Sequence, residues 1–327
     1  MSNTHFRQPP EWAEHRWVWI GFPSHAELWE SDLEPAREEV AAFARAVHAD
    51  GAGEEVRLVA ADLASARSAK ALCPFATIVQ EPFGDIWLRD TGPIILKDSG
   101  RMFAASFLFN GWGGKYELDG DRTIGPRLAR TAGFEVVQHD WVVEGGAIDG
   151  DGTGLIVTTE QCMLNKNRNI GLTHGRAETI FRTVGADRVL WLGKGLLNDH
   201  TDGHVDNLAR FVGKGRLAIP APAGEDDPNA EVYRDARRRA EAFGLEVVPV
   251  PSPGRVERGG EIIPASYMNF YIGNAAVVVP LYGAASDEAA VEAIGALFPG
   301  RTAVGLRADH VLTGGGSFHC ISQQVPA

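Results

Sequence analysis

Three stretches of the chain bring together residue types that chemistry needs. Cys320 closes a glycine-rich turn, GGGSFHC (314–320). Glycines let the backbone take positive φ and come close to a ligand. A cysteine thiolate is a strong nucleophile, but it forms near neutral pH only with electrostatic help. The run DHTDGHVDN (199–207) concentrates acids and imidazoles. On a strand, His204 and Asp206 would share one face, and an imidazole beside a carboxylate can serve as general acid and base. The same run admits a metal reading through His200, His204 and Asp206. That spacing suits zinc on a helix, whereas Gly203 and the sequel NLARFV read as non-helical. Two further carboxylates, Asp90 in DIWLRDTGP and Glu144 in EGG, stand at turn-to-strand boundaries, where an acid more often serves the turn itself.

A thiol, an imidazole and several carboxylates together suit a guanidinium. It is planar and cationic, its forked N–H donors match carboxylates, and its central carbon becomes a target once a thiolate is aimed at it. Trp87, Trp112 and Tyr267 are aromatic candidates for a pocket wall, although each serves equally well as core. Cys73 and Cys162 have no comparable setting and read as packing thiols.

The 327 residues carry 31 basic and 43 acidic side chains, a net charge of -12. Nucleic-acid binding needs a basic surface, so that class is excluded, while a cationic small molecule is compatible with the charge. Three cysteines without a C-x-x-C pair argue against a disulfide framework or structural zinc. The N-terminal MSNTHFRQPPEWAEHRW lacks an apolar signal core, and the apolar stretch near Ala275–Ala285 is too short to span a bilayer. The expectation is a cytoplasmic protein with no membrane partner. A homodimer is compatible with the sequence and not required by it.

The elements that must position these residues alternate. Helical spacing runs through LEPAREEVAAFARAVHA, EVYRDARRRAEAF and DEAAVEAIGALF, and short β-branched runs, EVRLVAA, IVTT, RVLWL, EVVPV and AAVVVPLY, read as strands. This predicts an α/β fold. A turn entering an apolar strand, a tight turn and a second strand recur at 89–107, 144–158, 204–219 and 268–279, with a truncated copy from Gly314. Asp90, Glu144, His204, Asn269 and Cys320 occupy similar places in these units, separated by 54, 60, 65 and 51 residues. Such a period predicts a repeat architecture, most simply a closed five-fold pseudosymmetric ring of ββαβ modules that brings five turns to one axis.

The segments PPEWAEH, DIWLRDTGP, FNGWGGKY, VEGGAID, TTEQCMLNKNRN, DGHVDN, PASYMNFYIGNAAVVVPL and GGGSFHC follow one another from residue 9 to the end. With them the chain resembles the agmatine deiminases and the related bacterial-type peptidylarginine deiminases of the guanidine-modifying pentein superfamily. The resemblance implies a five-fold α/β propeller, residues 1–327 as one catalytic domain, a small cationic guanidino substrate, and no metal or organic cofactor. It implies Cys320 as nucleophile, His204 as general acid and base, Asp90 and Asp206 as guanidinium ligands, and Glu144 as the group that orients His204. Trp87, Trp112, Asn269 and Gly315 are the candidates for substrate contact.

This chain departs from the family pattern in three places. Ser317 and Phe318 stand where Gly and Ile are usual, and Gly84 stands where many agmatine deiminases have Asp. Phe318 is a candidate for reshaping the pocket that takes the substrate tail. No arginine occurs from 102 to 121, around FNGWGGKY, where Lys115 is the only cation. A free α-carboxylate would need a paired cation there. An amine or neutral tail is therefore expected, with agmatine first.

Overall fold

The computed structural model describes residues 6–98 and 100–327. Its strands form five sheets of the same wiring and one small hairpin, Glu257–Arg258 with Glu261–Ile262. In four of the five, a first strand pairs antiparallel with the next strand in the chain, and that strand pairs parallel with a third. Parallel pairing requires a crossover, and helices supply it. Arg101–Leu108 reaches Val136–Val142 through Asp121–Thr131, and Arg216–Ala221 reaches Glu246–Pro251 through Ala230–Phe243. Ala276–Leu281 reaches Thr302–Arg307 through Asp287–Gly295.

The fifth sheet joins the two ends of the chain. The last strand, Ser322–Pro326, lies antiparallel to the first, His15–Gly21. The helix Leu33–His48 leads from His15–Gly21 to Glu55–Ala60, and Thr77–Gln80 adds a fourth strand. The expected α/β class is observed. The strand pairings establish repeated wiring, which by itself is not a rotational symmetry.

Helix Leu33–His48 buries Ala36, Val40, Ala41, Phe43, Ala44 and Val47, the spacing of one helical face. That face joins the largest apolar cluster, which packs around the shared end-to-end sheet. Full burial of one such large apolar side chain is worth about 1.5–3 kcal/mol. The predicted helix at DEAAVEAIGALF ends earlier, at Gly295. Among the described residues, no helix is long and apolar enough to cross a membrane.

Candidate active site

A short turn precedes the first strand of each of the five larger sheets, and the predicted residues lie in or beside these turns. Asp90 lies in Leu88–Thr91. Glu144 and His204 immediately precede the 3-10 turns Gly145–Ala147 and Val205–Asn207, and Asn269 ends Tyr267–Asn269. Cys320 lies in the turn ahead of Ser322–Pro326. His204 and Asp206 are therefore not on a strand. The Asp199 carboxylate accepts from the Thr201 hydroxyl (2.5 Å), the Thr201 hydroxyl accepts from His204 N (3.0 Å), and Val205 O accepts from Leu208 N and Ala209 N. These local bonds displace the ladder.

The turns converge. A Cβ added to Gly146 would stand 2.6 Å from His204 Nδ1, 2.9 Å from Asp90 Oδ1 and 3.0 Å from Asp206 Oδ2. Only a residue without a side chain fits between these three groups. His204 Nδ1 lies 3.6 Å from Asp90 Oδ1, and neither ring nitrogen has a hydrogen-bond partner. Burial works against the charged ring. Asp90, Cys162 and Glu144 outweigh it and hold the His204 pKa well above its ordinary value. Asp90 is itself raised, by burial and by Asp206 and Glu144, with His204 opposing.

Cys320 Sγ accepts from Asn269 Nδ2 at 3.0 Å and lies 3.6 Å from Asp206 Oδ2. The Asn269 Oδ1 accepts from His319 N and Cys320 N, at 3.0 and 3.2 Å. Asn269 thus grips the cysteine turn rather than lining the cavity. Burial, then Asp206 and Asp90, push the Cys320 thiol well above its ordinary pKa.

Glu144 does not hydrogen-bond His204. Its Oε1 accepts from the buried Arg168 Nε at 2.6 Å, and Oε2 has no partner. Ligand atoms of Glu144, Cys162 and His204 lie within 4.8 Å of one another, a grouping able to hold a cation. Among the described residues, His200, His204 and Asp206 do not form such a group. Cys162 is therefore a neighbour of His204 and not only a packing thiol.

A cavity of about 220 Å³ opens onto Cys320 and Asp90. Trp87 forms one wall. It stacks on Trp29 and donates through Nε1 to Asp85 Oδ2 at 2.7 Å. Cβ atoms on Gly314 and Gly316 would come within 2.6 and 2.5 Å of its ring, and Gly315 turns past His200 with φ +100°. Gly314 and Gly316 therefore leave the room that the Trp87 ring occupies. Trp112 forms another wall and donates to Asp90 Oδ2 at 2.9 Å. It does so from a left-handed backbone (φ 52°), a conformation costing about 1–2 kcal/mol outside glycine.

Among the described residues, no lysine or arginine lines this cavity, whereas Asp85 and Asp90 do. Lys115 turns to Asp202 Oδ1 (2.6 Å) and the His200 carbonyl (2.7 Å). Burial pushes Asp85 up to about 6. Two aromatic expectations change. Tyr267 is core, its hydroxyl donating to Asp287 Oδ1 at 2.6 Å. Phe318 does not reshape the cavity: it stacks on Phe43 in the core, with ring centroids 4.9 Å apart. At Gly84, a Cβ would strike Leu118 Cβ at 2.2 Å, so the missing Asp has no room.

Reading the residues singly passed over Asp85, Arg168 and His319, although each lies inside a quoted motif. The adjacency of His319 to Cys320 was the available signal. Glu11, in PPEWAEH, was also missed.

The Porphyromonas-type peptidyl-arginine deiminase family matches residues 7–326. An agmatine deiminase of Pseudomonas syringae pv. tomato is 33% identical, over 98% of this chain and 96% of its own length. The solved agmatine deiminase of Enterococcus faecalis superposes with a TM-score of 0.92 at 29% identity, covering 98% of this chain and 96% of that one. A cysteine-to-serine form of C. jejuni agmatine deiminase with substrate bound gives 0.91 at 26% identity, over 100% and 98%. On the strength of a match that runs nearly end to end, this chain belongs to the Porphyromonas-type peptidyl-arginine deiminase family.

Proposed function

We propose that this chain, acting as one catalytic domain, hydrolyses the guanidinium of agmatine to N-carbamoylputrescine and ammonia. The observation that carries the reading is the cavity on Cys320, which is lined by two acids and two tryptophans and by no basic side chain except His200. A free arginine would bring an α-carboxylate into that cavity beside Asp85 with no arginine or lysine to meet it. An alkylammonium meets Trp112, Tyr116 and Asp85 instead, and aromatic faces add about 0.5–2 kcal/mol for a cation. The agmatine deiminase names of the relatives support the same substrate.

In this reading Asp90 and Asp206 hold the guanidinium nitrogens. The Cys320 thiolate forms a bond to the central carbon, and His204, charged at neutral pH, protonates the departing nitrogen. The C–N bond breaks, ammonia leaves, and an S-alkylthiouronium remains. His204, now neutral, takes a proton from water as its oxygen bonds to the carbon. Collapse forms the C=O bond, breaks the C–S bond and returns the thiolate. The hydroxyl proton leaves to solvent, where the released ammonia becomes ammonium, and the ureido product departs with His204 again charged. Glu144, held by Arg168, acts on His204 through its charge. No organic cofactor enters.

The test is kcat/KM for agmatine against arginine, methylarginines, guanidinopropionate and peptidylarginine, scored as ureido product. Equal values for agmatine and arginine, or a preference for any carboxylate-bearing substrate, would overturn the tail assignment. Amidino transfer to an amine without ammonia release would overturn hydrolysis.

A further inference from the structure

Behind the cysteine turn lies a buried charge layer that the proposed chemistry does not use. His319 is 2% exposed. Its Nδ1 lies 2.8 Å from Asp206 Oδ2, and its Nε2 lies 2.8 Å from Glu11 Oε2. Ionised carboxylates only accept hydrogen bonds, so a ring bridging two of them needs a hydrogen on each nitrogen. We propose that Glu11 and His319 are positioning residues for the reaction: Glu11 holds the His319 ring, and the ring fixes Asp206 with one oxygen against Cys320 and the other free for the substrate.

Every part of this bridge is anchored. Glu11 arrives from the segment ahead of the first strand and pairs with Arg210 at 2.8 Å and Arg89 at 3.5 Å. Its other oxygen accepts from Ile272 N at 2.9 Å. Arg210 reaches on to Asp149 at 3.5 Å, and Arg89 Nε donates to the His319 carbonyl at 3.3 Å. The His319 backbone is tied to Asn269. The ring therefore cannot swing away without breaking a network that draws on every sheet. At the far end, Asp206 Oδ1 is fully buried and has no hydrogen-bond partner among the described residues. A buried acceptor left open this way calls for a donor, and a guanidinium N–H supplies one. Cys320, His204 and the like-charged Asp90 also face Asp206. Burial opposes its ionised form, but His319, then His204 and Arg210, hold its pKa below the ordinary value.

A buried ion cluster is weak evidence for stability, so positioning and mere structure must be separated by experiment. The inference rests on Asp206 being a guanidinium ligand, and its test has two arms. In the first, Glu11→Gln and His319→Gln are compared with wild type for agmatine turnover and melting temperature. Kcat/KM is expected to fall roughly tenfold to a hundredfold, the effect of a slightly misplaced reacting group. The acidic limb of the pH profile is expected to move to higher pH, because Asp206 has lost part of the charged donor that favours its ionised form. A lower melting temperature with an unmoved acidic limb would mean a structural role and would overturn the proposal. The second arm needs no turnover and no variant that folds poorly. In wild-type protein with isotope-labelled histidine, NMR is expected to find a hydrogen on both His319 ring nitrogens at neutral pH. A single neutral tautomer there overturns the bridge, whereas a doubly protonated ring in a protein that hydrolyses no guanidine overturns the functional reading instead.

Discussion

Asp206 Oδ2 stands 3.6 Å from Cys320 Sγ, so a carboxylate presses on the thiol proposed as nucleophile. With burial and Asp90 acting in the same direction, the free protein keeps that thiol protonated well above the usual cysteine range of roughly 8.5. A bound guanidinium neutralises both carboxylates and must lower the thiol pKa. Iodoacetamide alkylation of Cys320 is therefore expected to titrate at lower pH when a non-hydrolysable guanidine is bound, once steric protection is corrected for by rate against pH. An unchanged midpoint would show that substrate does not help to form its own nucleophile.

Replacing Cys320 by Ser or Ala should lower kcat by at least about 10³-fold, the scale seen when a covalent nucleophile is lost. The fold should survive, since the side chain borders a cavity. Circular dichroism and turnover on the same samples decide it, and more than a few per cent residual activity would point to another nucleophile.

Asp90→Asn and Asp206→Asn should have opposite effects on two measurements. Turnover is expected to drop by at least ~10²-fold, because an amide removes the charge that holds the cation. Alkylation of Cys320 should become easier, because the two charges that raise its pKa have each been removed in turn. For Asp90→Asn the new N–H₂ also faces Gly146 N or Trp112 Nε1, both donors. Normal turnover in either variant would return that residue to a turn role.

Gly146→Ala adds one methyl among His204, Asp90 and Asp206. The expected result is a loss of roughly 10²-fold in kcat/KM, the effect of displacing aligned groups, together with a lower melting temperature, since overpacking a buried site costs about 1–3 kcal/mol. Wild-type kinetics would mean that the three groups are not held as close as they stand here.

Phe318 separates packing from specificity. Phe318→Ala should cost about 3–5 kcal/mol in chemical unfolding, because the ring is fully buried against Phe43. Phe318→Ile should cost less and should leave the ratio of agmatine to arginine kcat/KM unchanged. A shifted ratio would place Phe318 in control of the tail pocket.

The residues that announce themselves in this sequence do so through local physics. Apolar spacing in LEPAREEVAAFARAVHA foretold the helix Leu33–His48, and turn-strand-turn-strand recurrence foretold that Asp90, Glu144, His204, Asn269 and Cys320 would occupy equivalent turns. Backbone preference and side-chain period act over a few residues, so one chain suffices to read them. Partner choice is different, because it depends on which distant atoms folding brings within 3 Å. Asn269 and Cys320 are 51 residues apart, and only their contact shows that the amide holds the thiol. The sequence points to Glu144 as the group that orients His204, and only the structure shows that its Oε1 accepts a hydrogen bond from Arg168 Nε. Tyr267 reads as a pocket candidate by type and Phe318 by its departure from the family pattern, and packing buries both. The tie between Glu11 and His319 spans 308 positions, which no local pattern encodes. Short-range order along the chain encodes the α/β elements and the five turns. The tertiary structure decided which group holds which, because hydrogen bonds and charges act through space over distances that chain separation does not measure.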